Sequence, residues 1–198
     1  MKRAALGLQM HSGWGVLVAV SGPPQAIEIL ARQRIVTANP EMPGTIQPYH
    51  HAMNLKLAEA DKHLANCAAA STRLAVAAIA ALVEELNARH YHVVGSAVLL
   101  ASGRPLPQLE KILASHPLIH TAEGEFFRHT VSQACEELEL PVTAIRQRDL
   151  DERAKAAFGK AATRVQQSIA SFGSSIGPPW TKDHKTAALA AALMLASR

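Results

Sequence analysis

The first forty residues set apolar runs of strand length against short polar interruptions. Residues 3–10 read as a strand, apolar from Ala4 to Leu8, and 14–21 ("WGVLVAVS") are apolar again, with Ser12-Gly13 between them. The pair reads as a hairpin, because glycine takes positive φ in a tight turn at little cost. "GPPQ" at 22–25 breaks the chain, and 26–38 reads as a third strand with Ile27 and Ile29 on one side. Residues 39–54 carry three prolines and a glycine, which predicts a loop, and loops this long are often functional or mobile. From 52 to 89 the pattern is helical, with a bend expected near Asn66 and an apolar stripe of Ala75, Ile79, Leu82, Val83 and Leu86. The near-continuous apolar run at 92–102 predicts a buried central strand. A short helix at 107–115, a helix at 122–139, a strand at 141–147 and a helix at 149–171 follow. Residues 172–180 ("FGSSIGPPW") read as a linker to a last helix at 181–196.

The order is β-β-β-α-β-α-β-α-α. A meander followed by strand–helix alternation predicts an α/β fold with a mixed five-stranded sheet flanked by helices, since parallel strands need helical crossovers. The 198 residues fit a single domain, 1–198. Of them 48% are hydrophobic but only 4% aromatic, so alanine, leucine and valine supply most of the core. Cys67 and Cys135 lack metal-ligand spacing and are expected as reduced, partly buried thiols of a cytoplasmic protein. The longest apolar tract, 74–83, is short of the roughly 18 residues of a bilayer span, so no membrane is expected. A net charge of +4 suits a phosphate-bearing ligand or nucleic acid, without a concentrated basic stripe.

Three polar clusters stand where chemistry is expected. At the end of the first strand His11 is placed for acid–base work, with Gln9 and Ser12 as ligand contacts; a packed turn over Trp14 is the plainer account. In "HTAEGEFFRH" (120–129), Thr121 is expected to cap a helix whose first turn holds Glu123 and Glu125. Gly124 inside that turn points to a close backbone approach, and His120, Glu123 and Arg128 are candidates there. In "PPWTKDHKTAALAAA" (178–192), Thr181 is the expected cap and Trp180, Asp183 and Lys185 are the candidates. "QPYHHAMN" (47–54) offers adjacent histidines, which rarely ligate one metal. His116 and His120 have i,i+4 spacing, but Pro117 is expected to break the helix that spacing needs, so no metal site is expected. No P-loop, dinucleotide fingerprint, nucleophile elbow or HExxH motif occurs.

"ALGLQMHSGWGVLVAV", "AEGEFFRHTVSQACEELELPVTAIRQRDL" and "DHKTAALAAALMLA" together resemble the ribonuclease H-like superfamily, and within it the bacterial Holliday-junction resolvase (RuvC-like) branch. The resemblance implies a ribonuclease H-like sheet and, in the nucleases of the family, carboxylates holding two divalent cations for phosphodiester hydrolysis. This chain departs from that pattern. The first-strand acid position reads Gln9, Ser102-Gly103-Arg104 follows the fourth strand, and Ala187 or Ala188 occupies the matched position on the last helix, with Asp183 one turn earlier. The leading expectation is therefore a non-nuclease binding or scaffold module with a polar cleft at the end of the first strand. Its catalytic candidates would be His11, Glu123 and Asp183, and its ligand contacts Gln9, Ser12, Arg104, His120, Arg128, Trp180 and Lys185, with no cofactor. The alternatives are an enzyme using His/Asp/Glu acid–base chemistry there, and a resolvase-type nuclease. The expected partner is a small or phosphate-bearing ligand or nucleic acid, and the alanine-rich helix leaves a homodimer open.

Overall fold

The computed structural model describes residues 1–101, 103 and 105–197. Its sheet comprises β1 (Lys2–His11), β2 (Trp14–Ser21), β3 (Glu28–Val36), β4 (Tyr91–Leu100) and β5 (Val142–Arg146), in the order β3-β2-β1-β4-β5. β1 runs antiparallel to β2, and β2 to β3, whereas β4 lies parallel to β1 and β5 to β4. This is the mixed five-stranded sheet expected from the meander and the crossovers. Gly13 makes the hairpin turn at φ 78°, and its carbonyl then accepts the amides of Thr37 and Ala38, tying the end of β3 to the turn.

The pleat of β1 divides the core in two. Ala4, Leu6, Leu8 and Met10 pack against α2 (Leu57–Ala88) and α4 (His116–Glu137). Ala5 belongs to the opposite layer, with α5 (Leu150–Phe158), α6 (Ala162–Ile176) and α7 (Lys182–Ala196). α7 lies hard against the sheet: a Cβ on Gly7 would run into the Ala187 carbonyl. The helix presents Ala187, Ala188, Ala190 and Ala191, all fully buried, so backbones approach where larger side chains would hold them apart. Two shorter helices, α1 (Pro48–Ala52) and α3 (Leu109–Leu113), pack beside α2 and α4, on their side of the sheet.

Several boundaries differ from those predicted. α2 is continuous through Asn66, whose exposed side chain costs the helix only its modest propensity. The 149–171 helix divides into α5 and α6 at Gly159, which adopts φ 53°. α6 then runs on to Ile176, so the linker is shorter than 172–180. The 39–54 segment contains α1 and is internally bonded, the Thr45 hydroxyl donating to the carbonyls of Asn39 and Met42. α4 begins at His116 rather than near residue 122, because Pro117 sits in the first turn, where a missing N–H costs nothing. Thr121 therefore caps nothing; its hydroxyl donates to the Pro117 carbonyl inside the helix. α2 is also long and apolar enough, at mean hydropathy 1.5 over 18 residues, to cross a membrane, but its apolar stripe packs on the sheet and on α4.

Candidate functional site

The end of β1 meets the start of α7. On β1, Gly7 faces α7, so Gln9 and His11, two and four residues on, share that face. Gln9 is buried at 7% exposure, and its Oε1 has no hydrogen-bond partner among the described residues. His11 reaches the helix: its Nε2–H donates to Asp183 Oδ2 at 3.0 Å, with the two side chains 37% and 31% exposed. The imidazole stacks on Trp14 at 4.4 Å between ring centroids, and the Arg34 guanidinium lies 4.4 Å from the centre of the Trp14 ring. The imidazole is thus held on one face by Trp14, while one carboxylate oxygen fixes its orientation. Ser12 is exposed at the turn.

α7 starts where it does because its first turn is capped from both directions. Thr181 is the N-cap, and His184 Nδ1 accepts its backbone N–H at 3.2 Å while lying 2.8 Å from its hydroxyl. Burial holds the His184 imidazole below its ordinary pKa, helped by the Arg32 charge and opposed by Asp183. Arg32 anchors the approach to this turn: it donates to the carbonyls of Ile176, Gly177, Pro178 and Pro179, bracing the end of α6 against β3. Trp180 is a packing residue, its indole N–H given to the Ile169 carbonyl at 2.7 Å. Lys182 and Lys185 line a cleft of about 670 Å³ with Arg148, Gln147 and Gln166, between α7, α6 and the turn after β5.

The single polar cleft expected from the sequence is in fact two places. α4 lies on the α2 side of the sheet and α7 on the other, so Glu123 and Asp183 belong to opposite layers. Glu123, 4% exposed, accepts at Oε1 from both the backbone N–H and Nδ1–H of His50, each at 3.0 Å, and its Oε2 is buried without a partner among the described residues. Burial raises the carboxyl above its ordinary pKa, and the His50 hydrogen bonds hold that rise back. His120 stands exposed beside His50. Gly124 is explained by Arg128, whose guanidinium occupies the space a Cβ would need. Arg128 Nε donates to the Leu99 carbonyl at 3.1 Å, and Nη1 lies 3.6 Å from Glu125. Arg104 lies outside the described residues. His50, His116, Arg32 and the cap formed by His184 were not among the expected site residues. The signal for His116 was the "HPLIH" spacing, once Pro117 is allowed in a first turn.

Cys67 and Cys135 are both buried and free. Desolvation pushes each thiol up to about 11, so neither is a ready nucleophile near neutral pH. Cys67 Sγ lies 3.4 Å from His63 Nε2, one turn earlier on α2.

No protein-family model and no curated protein matches the chain. Among solved structures it is similar to Thermus thermophilus RuvC in complex with a Holliday junction substrate, at 13% identity and a TM-score of 0.53, over 98% of this chain and 93% of that one. A second Thermus thermophilus RuvC structure gives 13% identity and a TM-score of 0.51 with the same coverage. At this identity the likeness is one of architecture: the chain has the ribonuclease H-like α/β fold found in RuvC.

Proposed function

We propose that this protein is a nucleic-acid-binding module of ribonuclease H-like fold that holds a branched DNA backbone without cleaving it by two-metal chemistry. The observation that carries the reading is Gln9. It sits buried on the α7 face of β1, where its neutral amide brings no charge to hold cations, and the nearby carboxylate of Asp183 is engaged by His11. Paired divalent ions need several carboxylate ligands to offset their charge, and this donor set does not fit them. Binding has its own support. Lys182, Lys185 and Arg148 line one cleft beside the start of α7, where a helix N-terminus favours phosphate. The resemblance to a resolvase solved with a Holliday junction favours a four-way junction as the ligand.

The test is a gel-shift titration of a four-way DNA junction and a duplex of the same sequence, with cleavage read in the same samples in Mg²⁺ or Mn²⁺. Retarded junction and intact strands are expected. Metal-dependent cleavage would overturn the non-nuclease reading, and no retardation of either DNA at low salt would remove nucleic acid as the ligand.

The His11–Asp183 pair, where the end of β1 meets the start of α7, favours a second reading, acid–base catalysis at that pair. Asp183 fixes the imidazole and its tautomer, as a base-orienting carboxylate does. Phosphodiester hydrolysis that persists in EDTA and disappears in His11→Asn would establish this reading in place of the first.

A further inference from the structure

His50, His116 and His120 come from two separate elements and converge on one point. His116 and His120 stand one turn apart on the exposed face of α4, and α1 lays His50 against them. Ring centroids are 4.8 Å apart for His50 and His120, 5.6 Å for His50 and His116, and 4.5 Å for His116 and His120. One nitrogen from each lies within 4.8 Å of the other two. Tetrahedral zinc with bonds of roughly 2.0–2.1 Å needs nitrogens about 3.4 Å apart. Occupancy therefore asks the two exposed rings to turn inward toward His50.

The arrangement behind the cluster is that of a built ligand. His50 Nδ1–H donates to the buried Glu123 carboxylate at 3.0 Å, which fixes the tautomer and leaves Nε2 as the ligating atom. A histidine ligand with its other nitrogen on a carboxylate is the usual outer arrangement of a zinc site. The backbone N–H of His50 bonds the same oxygen, so the short α1 helix is locked in place from the α4 side. A cation on His50 would also offset the charge of a carboxylate that otherwise has one buried oxygen unpartnered among the described residues. His51, although adjacent in sequence, turns to a different neighbour and stacks near His63 at 4.4 Å.

We infer that His50, His116 and His120 form a binding site for one zinc-class divalent ion, with Glu123 as the residue that orients His50. Three neutral imidazoles select Zn²⁺, Co²⁺, Ni²⁺ or Cu²⁺ over Mg²⁺ and Ca²⁺, which prefer oxygen. The fourth position opens to solvent, because His116 and His120 are exposed. The ion clasps α1 to the start of α4. The site lies on the opposite layer from Gln9 and His11, so it stands independently of the nucleic-acid reading.

Tag-free protein, stripped with EDTA, is titrated with Zn²⁺ alone in competition with a chromogenic chelator, and separately with Co²⁺ read in the visible spectrum. One equivalent should bind, the melting temperature should rise with zinc, and Co²⁺ should give ligand-field bands without a thiolate charge-transfer band. His116→Ala and His120→Ala, at exposed positions, should each weaken zinc at least tenfold with an unchanged circular dichroism spectrum. Glu123→Gln should weaken it about 10- to 100-fold, and His63→Ala should leave it unaltered. Substoichiometric binding, affinity unaltered in His120→Ala, or a thiolate band pointing to Cys67 would overturn the assignment.

Discussion

At the scale of single residues, His184 couples the start of α7 to pH. Its Nδ1 completes the Thr181 cap only while the imidazole is neutral, and burial with the Arg32 charge lowers its pKa in the folded chain. The unfolded chain takes up a proton near its ordinary pKa of about 6.5. Below that pH the unfolded state binds more protons than the native state, so the native fold loses stability as pH falls from about 6.5 through the lower native value. Above that window the contribution is complete. Glutamine also fits this position of a capping box. Urea midpoints of His184→Gln measured between pH 5 and 8 should therefore lose part of the acid-side slope while matching the parent at pH 8. His184→Ala should cost about 0.5–2 kcal/mol at pH 8, as caps do. An identical slope in parent and glutamine variant would show that another group carries it. The sequence displayed Thr181 as a cap by its type and place, but the acceptor at His184 depends on a ring orientation that no residue pattern encodes. The histidine cluster was hidden for another reason. Pro117 breaks a helix interior yet starts a helix well, and only the position of Ser115 as the preceding N-cap decides between the two.

At the scale of elements, the contact between β1 and α7 sets the geometry of the His11–Asp183 pair. Gly7 has no side chain because the Ala187 carbonyl lies where a Cβ would be. Gly7→Ala must move α7 off the sheet or strain both backbones, at about 1–3 kcal/mol or more. Thermal melts should fall by roughly 2–4 °C for each kcal/mol in a chain of this length. Because the displacement carries Asp183 away from His11, the same variant should also raise the exchange rate of the imidazole N–H seen by NMR. A melt equal to the parent's would mean that the helix yields without cost. Strands were readable here because alternation and turn glycines are local, and the apolar run of β4 matches a strand buried on both faces. Helix breaks were less so. Gly159 ends α5 by adopting positive φ, a choice glycine also declines in many helices, whereas Asn66 leaves α2 intact because its side chain points to water. The division of the polar residues between two faces was invisible as well, since it depends on which side of the sheet each crossover takes.

At the scale of the whole molecule, a net charge of +4 on 198 residues gives only mild attraction to a polyanion, so its placement matters more than its sum. Lys182 and Lys185 stand in one cleft at the positive end of α7, with Arg148 across it. Asp183 lies between the two lysines in sequence, but its charge is directed to His11 rather than left to repel phosphate. Backbone contacts of this kind release condensed counterions, so the logarithm of the association constant should fall linearly with the logarithm of salt, by about 0.9 for each phosphate neutralised on duplex DNA. Lys182→Ala combined with Lys185→Ala should lower that slope by about 2, one for each contact removed. Affinity for junction and for duplex should drop by the same factor, since a lysine on a phosphate reads no sequence or branch. Fluorescence anisotropy across a salt series measures both quantities. A slope equal to the parent's would place the DNA elsewhere on the surface, and a loss confined to the junction would make the lysines readers of the branch point itself.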